Sequence, residues 1–192
     1  MIKHAKTALA IAALSLGVST AGATTASATE KPAAESIRAT VAAPTATSAW
    51  VHFLPTYESD HLSINSGDTL GVACWVASEG TIWDLVIDTT NDNAGYTLAS
   101  YLTVTGAPAP CGSAGIASGV PSQTWIHLHP QADWEHQILN PGDSIRSLCN
   151  LGYVYDPSDG QTLIWDLVVD NTSGLAGLTW DKAVYGVTPP AC

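Results

Sequence analysis

Trp83-Asp84-Leu85-Val86-Ile87-Asp88 returns 82 residues later as Trp165-Asp166-Leu167-Val168-Val169-Asp170. Each run is dense in β-forming residues and too short for a helix, so it reads as a strand. The same duplication extends toward the N-terminus at an offset of 75. There Trp50-Val51-His52-Phe53-Leu54-Pro55 matches Trp125-Ile126-His127-Leu128-His129-Pro130, and Ile64-Asn65-Ser66-Gly67-Asp68 matches Leu139-Asn140-Pro141-Gly142-Asp143. Cys74 matches Cys149, Gly95 matches Gly177, and Cys111 matches Cys192. Seven extra residues lie in the second copy near Asp156-Pro157-Ser158-Asp159-Gly160, a loop composition. The chain therefore holds two copies of one small unit, over residues 48–111 and 123–192.

Further short runs, such as Thr69 to Val76 and Thr97 to Val104, are separated by Asn/Gly turns, while helical caps and a 3.6-residue period are missing. The expected fold class is all-β, with one small barrel or sandwich per copy. A unit of this size buries only about 60% of its unfolded surface, so a covalent staple is expected. Four cysteines allow three pairings. Repeat symmetry favours Cys74–Cys111 with Cys149–Cys192, which gives both copies the same frame. Each copy also has its own Trp, Gly-Asp turn and cysteine pair. Residues 48–111 are accordingly expected to fold alone, with 112–122 as a Gly/Ser-rich flexible linker.

Ahead of the first copy, residues 1–28 read as a secretory signal peptide: Lys3 and Lys6, an apolar run over Thr7 to Val18, then small-residue sites ending at Ala28. The apolar run is shorter than the ~20 residues that span a bilayer, so no membrane insertion is expected after cleavage. Residues 29–47 are rich in Ala, Thr and Pro and read as a flexible leader. An exported chain meets an oxidising compartment, where paired cysteines form disulfides.

The chain has 192 residues, 17 acidic against 6 basic, and only 12% charged residues. From Ser48 onward, 15 acids face only Arg146 and Lys182, leaving that part at −13. So acidic a body lacks the Lys/Arg footprint of a nucleic-acid binder. Its low content of charged residues also excludes a coiled coil.

The order of signals in the first copy resembles a bacterial SH3-like domain. The resemblance rests on Leu54-Pro55-Thr56-Tyr57, Gly67-Asp68-Thr69-Leu70, Trp83-Asp84-Leu85-Val86 and Gly95-Tyr96-Thr97-Leu98-Ala99-Ser100-Tyr101-Leu102. The second copy keeps Gly142-Asp143-Ser144-Ile145 and Trp165, but its ending, Gly177 to Tyr185, is looser. The family's Arg-Ser-Gly-Pro type of segment is missing, and each unit carries a cysteine pair that many relatives lack. The resemblance implies two tandem small SH3-like barrels that bind cell-wall material or peptide.

A catalytic constellation is not apparent. All four cysteines have symmetric disulfide partners, and no Gly-x-Ser-x-Gly segment is present. Asp84/Asp88 and Asp166/Asp170 lie about 13 Å apart along a strand. Glycosidase carboxylates stand at ~5–9.5 Å, so these acids are expected to be solvated strand-end residues bonding nearby turns. His127, His129, His136 and Asp133 cluster in the second copy, and His52 is the counterpart of His127. Only the second copy is read as holding a histidine pair, and zinc needs three or four convergent ligands, so no metal centre and no cofactor are expected. The oxygen-rich run Asp88 to Asn93 misses the EF-hand order, leaving weak calcium binding as a minor alternative.

The repeated Trp50/Trp125 and Trp83/Trp165 are expected to pack the cores. The less symmetric aromatics, Tyr57, Trp75, Tyr96, Tyr101, Trp134, Trp180 and Tyr185, are the candidate ligand-binding residues. The expected function is a secreted, non-enzymatic binding module for extracellular peptide or cell-wall polymer, associated with the cell wall. The alternative is a secreted inhibitor or toxin-like effector of another extracellular protein.

Overall fold

In the computed structural model, Trp83-Asp84-Leu85-Val86-Ile87-Asp88 and its copy are central strands with both faces covered, which is why they read as nearly unbroken hydrophobic runs. The structure describes residues 40–45, 48–131, 135–158, 160–184 and 188–192, all within one compact unit, Pro32–Cys192. The signal-peptide reading, residues 1–28, lies outside the described residues. Among those residues the fold is all-β, with two single-turn 3-10 segments and no helix long and apolar enough to cross a membrane.

The first sheet contains β1 (Thr40–Pro44), β2 (Ser48–His52), β3 (His61–Asn65), β4 (Leu70–Ser78), β5 (Thr81–Asp88), β6 (Asn93–Leu98), β7 (Leu102–Val104) and the short β8 (Ala109–Pro110). The second contains β9 (Ile116–Gly119), β10 (Thr124–His127), β11 (His136–Leu139), β12 (Ser144–Asp156), β13 (Gln161–Asp170) and β14 (Ala176–Trp180). The orders are β3-β2-β6-β5-β4-β1-β7 and β11-β10-β14-β13-β12-β9, the same path over six strands, with β7 added at the end of the first. Neighbours are antiparallel, except that β8 runs parallel to β4. Both copies carry a bulge one residue before the first cysteine, between Val72 and Cys74 and between Ser147 and Cys149. The seven extra residues of the second copy extend the β12–β13 hairpin.

Two segments expected to be flexible are the first strands of the repeats. Thr40–Pro44, in the leader, lies between β4 and β7 with Ala42 opposite Leu70 and Val104, while Ile116–Gly119, in the linker, lies along β12. Both are poor in large apolar residues and are held largely through the backbone ladder, which composition does not reveal. Arg146 fastens the start of the second segment by donating to the carbonyls of Ser113, Ala114 and Gly115.

Each sheet curls around its own cluster. Ala49, Val51, Ile64, Leu70, Val72, Val86 and Leu102 meet inside the first, bringing distant strands of one sheet together. Ile126, Leu139, Ile145, Val168 and Val184 do so in the second, joined by Phe53 from the first copy. The opposite faces pack on each other. Trp83, Leu85, Ile87, Tyr96 and Leu98 share one buried cluster with Leu148, Trp165, Leu167, Val169 and Leu178. The copies thus share a joint core in addition to the cluster inside each sheet.

Reciprocal hydrogen bonds lock the joint. Ala94 N–H donates to the Leu128 carbonyl at 2.8 Å, and Ala176 N–H donates to the Phe53 carbonyl at 2.8 Å. These four residues are repeat counterparts, so the contact has a two-fold character within one chain. Gly95 permits the close approach: a Cβ there would lie 2.7 Å from the His52 carbonyl oxygen and 2.9 Å from Leu128.

The disulfides are Cys74–Cys111 and Cys149–Cys192, as repeat symmetry favours. They place the body in an oxidising environment. The matched turns also agree: the Asp68 and Asp143 carboxylates accept from the Asn65 and Asn140 N–H groups, each at 2.6 Å.

Candidate functional site

Alternation along β2 sends Ala49 and Val51 into the curled interior and turns Trp50 and His52 to the other face. His61 stands directly across from His52 on β3, and Trp83 comes up from β5 beside them. The rings form a ladder: Trp50–His61 at 5.4 Å, His61–His52 at 5.1 Å, His52–Trp83 at 5.5 Å and Trp83–Tyr57 at 5.2 Å. It runs from exposed Trp50 and Tyr57 to fully buried Trp83. Trp50, His52, Tyr57, His61, Trp83, Leu98 and Tyr101 enclose a recess of about 270 Å³.

The second copy repeats the ladder with Trp125–His136 at 5.6 Å, His136–His127 at 5.5 Å and His127–Trp165 at 5.4 Å. Trp180 takes the place of Leu98 and packs 6.0 Å from Trp165. His61 therefore matches His136 at the same offset of 75, and both copies hold a histidine pair. The sequence reading missed His61 although the offset was sufficient to find it. Trp50 and Trp125, expected in the cores, are 43% and 45% exposed because their β-strand positions face outward.

His52 and His61 both direct Nδ1 to the Ser59 carbonyl, at 3.1 and 3.3 Å. A carbonyl only accepts, so each Nδ1 carries the proton and each Nε2 is left as an acceptor in the neutral ring. Burial lowers the His52 pKa, outweighing the Ser59 carbonyl, so its ring is neutral at pH 7. Burial, with His136 second, pushes His127 down to about 4. Among the described residues no three His, Cys, Asp or Glu side chains group to hold a metal ion. The recess offers aromatic faces and imidazole hydrogen bonding.

Of the candidate aromatics, the structure brings Tyr57 and Tyr101 to this recess. Trp75 lies apart, in a groove described below, and Trp180 is half-buried on the second ladder. Tyr96 lies away from the recess, 1% exposed in the joint core, where burial drives its pKa up. Trp134 and Tyr185 lie outside the described residues, as does Asp133.

The acids split by position. Asp88 and Asp170 end their strands and bond the following turns, accepting from Thr90 N–H at 2.9 Å and Thr172 N–H at 2.8 Å. Asn91 engages the second Asp88 oxygen at 2.9 Å, so the carboxylate of the oxygen-rich turn is satisfied from within. None of the four is solvated as expected: Asp84 is 4% exposed, and Asp88, Asp166 and Asp170 are 0% exposed. Burial alone raises Asp84 to about 6, while burial and then Asp181 raise Asp166 to about 7. Neither Asp166 oxygen has a hydrogen-bond partner.

A raised carboxyl pKa contributes stability that is complete below the unfolded value and lost as pH rises through the folded value. For Asp166, a rise from 3.8 to about 7 corresponds to about 4 kcal/mol lost between pH 4 and 8. Asp166→Asn should therefore match the native protein near pH 4 and exceed it at pH 8, at about 2–4 °C per kcal/mol. Thermal melts of both across that range test this. A pH-independent gap would show that Asp166 is charged in the fold.

Compared with protein-family models and with curated protein sequences, the chain matches none.

Proposed function

We propose that this is an exported, non-enzymatic binding module that holds extracellular peptide or cell-wall material in the Trp50–Tyr57 recess. The observation that carries the reading is the recess: two exposed aromatic faces over a buried Trp, flanked by two histidines with a shared carbonyl acceptor. Ligand sites are typically concave and apolar with a few placed polar groups, and exposed aromatics supply contact area at low entropic cost. The signal-like first segment, the disulfides and the resemblance to bacterial SH3-like domains support an extracellular setting.

Purified full-length secreted protein should be enriched on insoluble peptidoglycan and on whole cells over a neutral control protein. Trp50→Ala and Tyr57→Ala alter exposed side chains, so the fold should survive while enrichment falls about tenfold or more. No enrichment of the native protein, or undiminished enrichment of both variants, would count against the proposal.

A further inference from the structure

On the other side of β5 from Trp83, Asp84 opens to a groove of about 480 Å³. Trp75, Ile82, Ala99, Leu102, Val104, Gly106, Ala107 and Pro108 complete its lining. That volume lies within the roughly 300–1,000 Å³ usual for small-ligand sites. Asp84 is 4% exposed, and none of the described side chains or backbone groups hydrogen-bonds or pairs with its carboxylate. Across the ladder it stands opposite Trp75 on β4 and Thr97 on β6, and no second titratable or charged side chain lines the groove. A buried carboxylate without partners is costly, and its place in the wall of an accessible groove marks it as a group awaiting a partner.

The duplicate provides an internal contrast. Asp166 occupies the same register, opposite Asn150 where the first copy has Trp75. The Asn150 amide is engaged, donating to the Pro189 carbonyl at 2.6 Å and accepting from Gly152 N–H at 3.1 Å. Asp166 is fully enclosed. Among the described residues, the first copy combines an accessible buried carboxylate with an indole wall, whereas the second has Asn150 in place of the indole.

We propose that the Trp75–Asp84 groove binds a primary alkylammonium group, with the charge at Asp84 and the alkyl arm along Trp75, Leu102 and Val104. The carboxylate supplies a charge-assisted hydrogen bond, and an indole is the strongest aromatic partner for a cation. The net acidity of the body favours arrival of a cation. This site is separate from the Trp50–Tyr57 recess and stands or falls independently of the function proposed for it.

The ammonium can come from a free amine or from a lysine-type side chain of a peptide. Titrations of the full secreted chain with n-pentylamine and with an acetylated, amidated lysine distinguish the two sources. Shifts of the Trp75 indole N–H signal report occupancy of the groove, and 1-pentanol is the uncharged control. A cation binds the ionised carboxylate, so affinity should rise at least fivefold from pH 5 to pH 7.5. Asp84→Asn should reduce it tenfold or more, and so should Ala107→Trp, which fills the groove and leaves the carboxylate in place. Asp166→Asn should leave it unchanged. Equal affinity for 1-pentanol, a flat pH profile, or retained binding by a folded Ala107→Trp protein would overturn the proposal.

Discussion

A chain cut back to residues 40–111 should fail to melt cooperatively, even with its disulfide intact. Separation would expose Trp83, Leu85, Ile87, Tyr96 and Leu98, now sealed against the second copy. Full burial of a large apolar side chain is worth roughly 1.5–3 kcal/mol, so five such losses rival the roughly 5–15 kcal/mol by which domains are stable. The Ala94–Leu128 and Ala176–Phe53 bridges would go as well, leaving backbone groups unpaired beside apolar surface. Circular dichroism melts and amide dispersion of the truncated chain decide the matter. A sharp transition with dispersed amides would show that each curled sheet is sufficient by itself.

Reduction should be the second severe insult. The two bridges close loops separated by 37 and 43 residues, and loop-closure entropy assigns each about 4 kcal/mol. Cys74 and Cys111 are both sealed in the joint core, whereas Cys192 is exposed at the chain end. Graded dithiothreitol should therefore open Cys149–Cys192 first and leave Cys74–Cys111 until the fold yields. Alkylation followed by mass mapping gives the order, and melts at each stage give the cost. Simultaneous loss of both bridges, or an unchanged midpoint after loss of both, contradicts this ordering of access and energy.

Local signals in the sequence proved good guides where the physics is local. The Asn65-Ser66-Gly67-Asp68 turn, its copy at Asn140, and the cysteine pairing follow from short spacings and from the duplication. The joint core was harder to see, because periodicity assigns Trp83 and Leu85 to one face without saying what lies against it. The apolar character of Ile82 to Ile87, broken only by Asp84, was the available clue, since a strand wetted on one face alternates. Asp84 illustrates the same gap: a carboxylate at the fourth position of β5 reads as solvated until tertiary packing covers it. Thr40–Pro44 and Ile116–Gly119 escaped notice because strand pairing through the backbone leaves little trace in composition. His61 was legible by offset alone, and its pairing with His52 appears only when β2 and β3 are set side by side.

The paired bridges between Phe53, Ala94, Leu128 and Ala176 also fix how the molecule can present itself to a polymer. The two Trp–His–His–Trp ladders ride on sheets clamped back to back, so their separation is set by the fold and not by a tether. In a flexible tandem, the second contact is governed by an effective concentration that varies with linker length. Here that freedom is gone. A chain that engages both ladders gains avidity only if its own repeat matches the spacing, and the clamp thereby acts as a ruler.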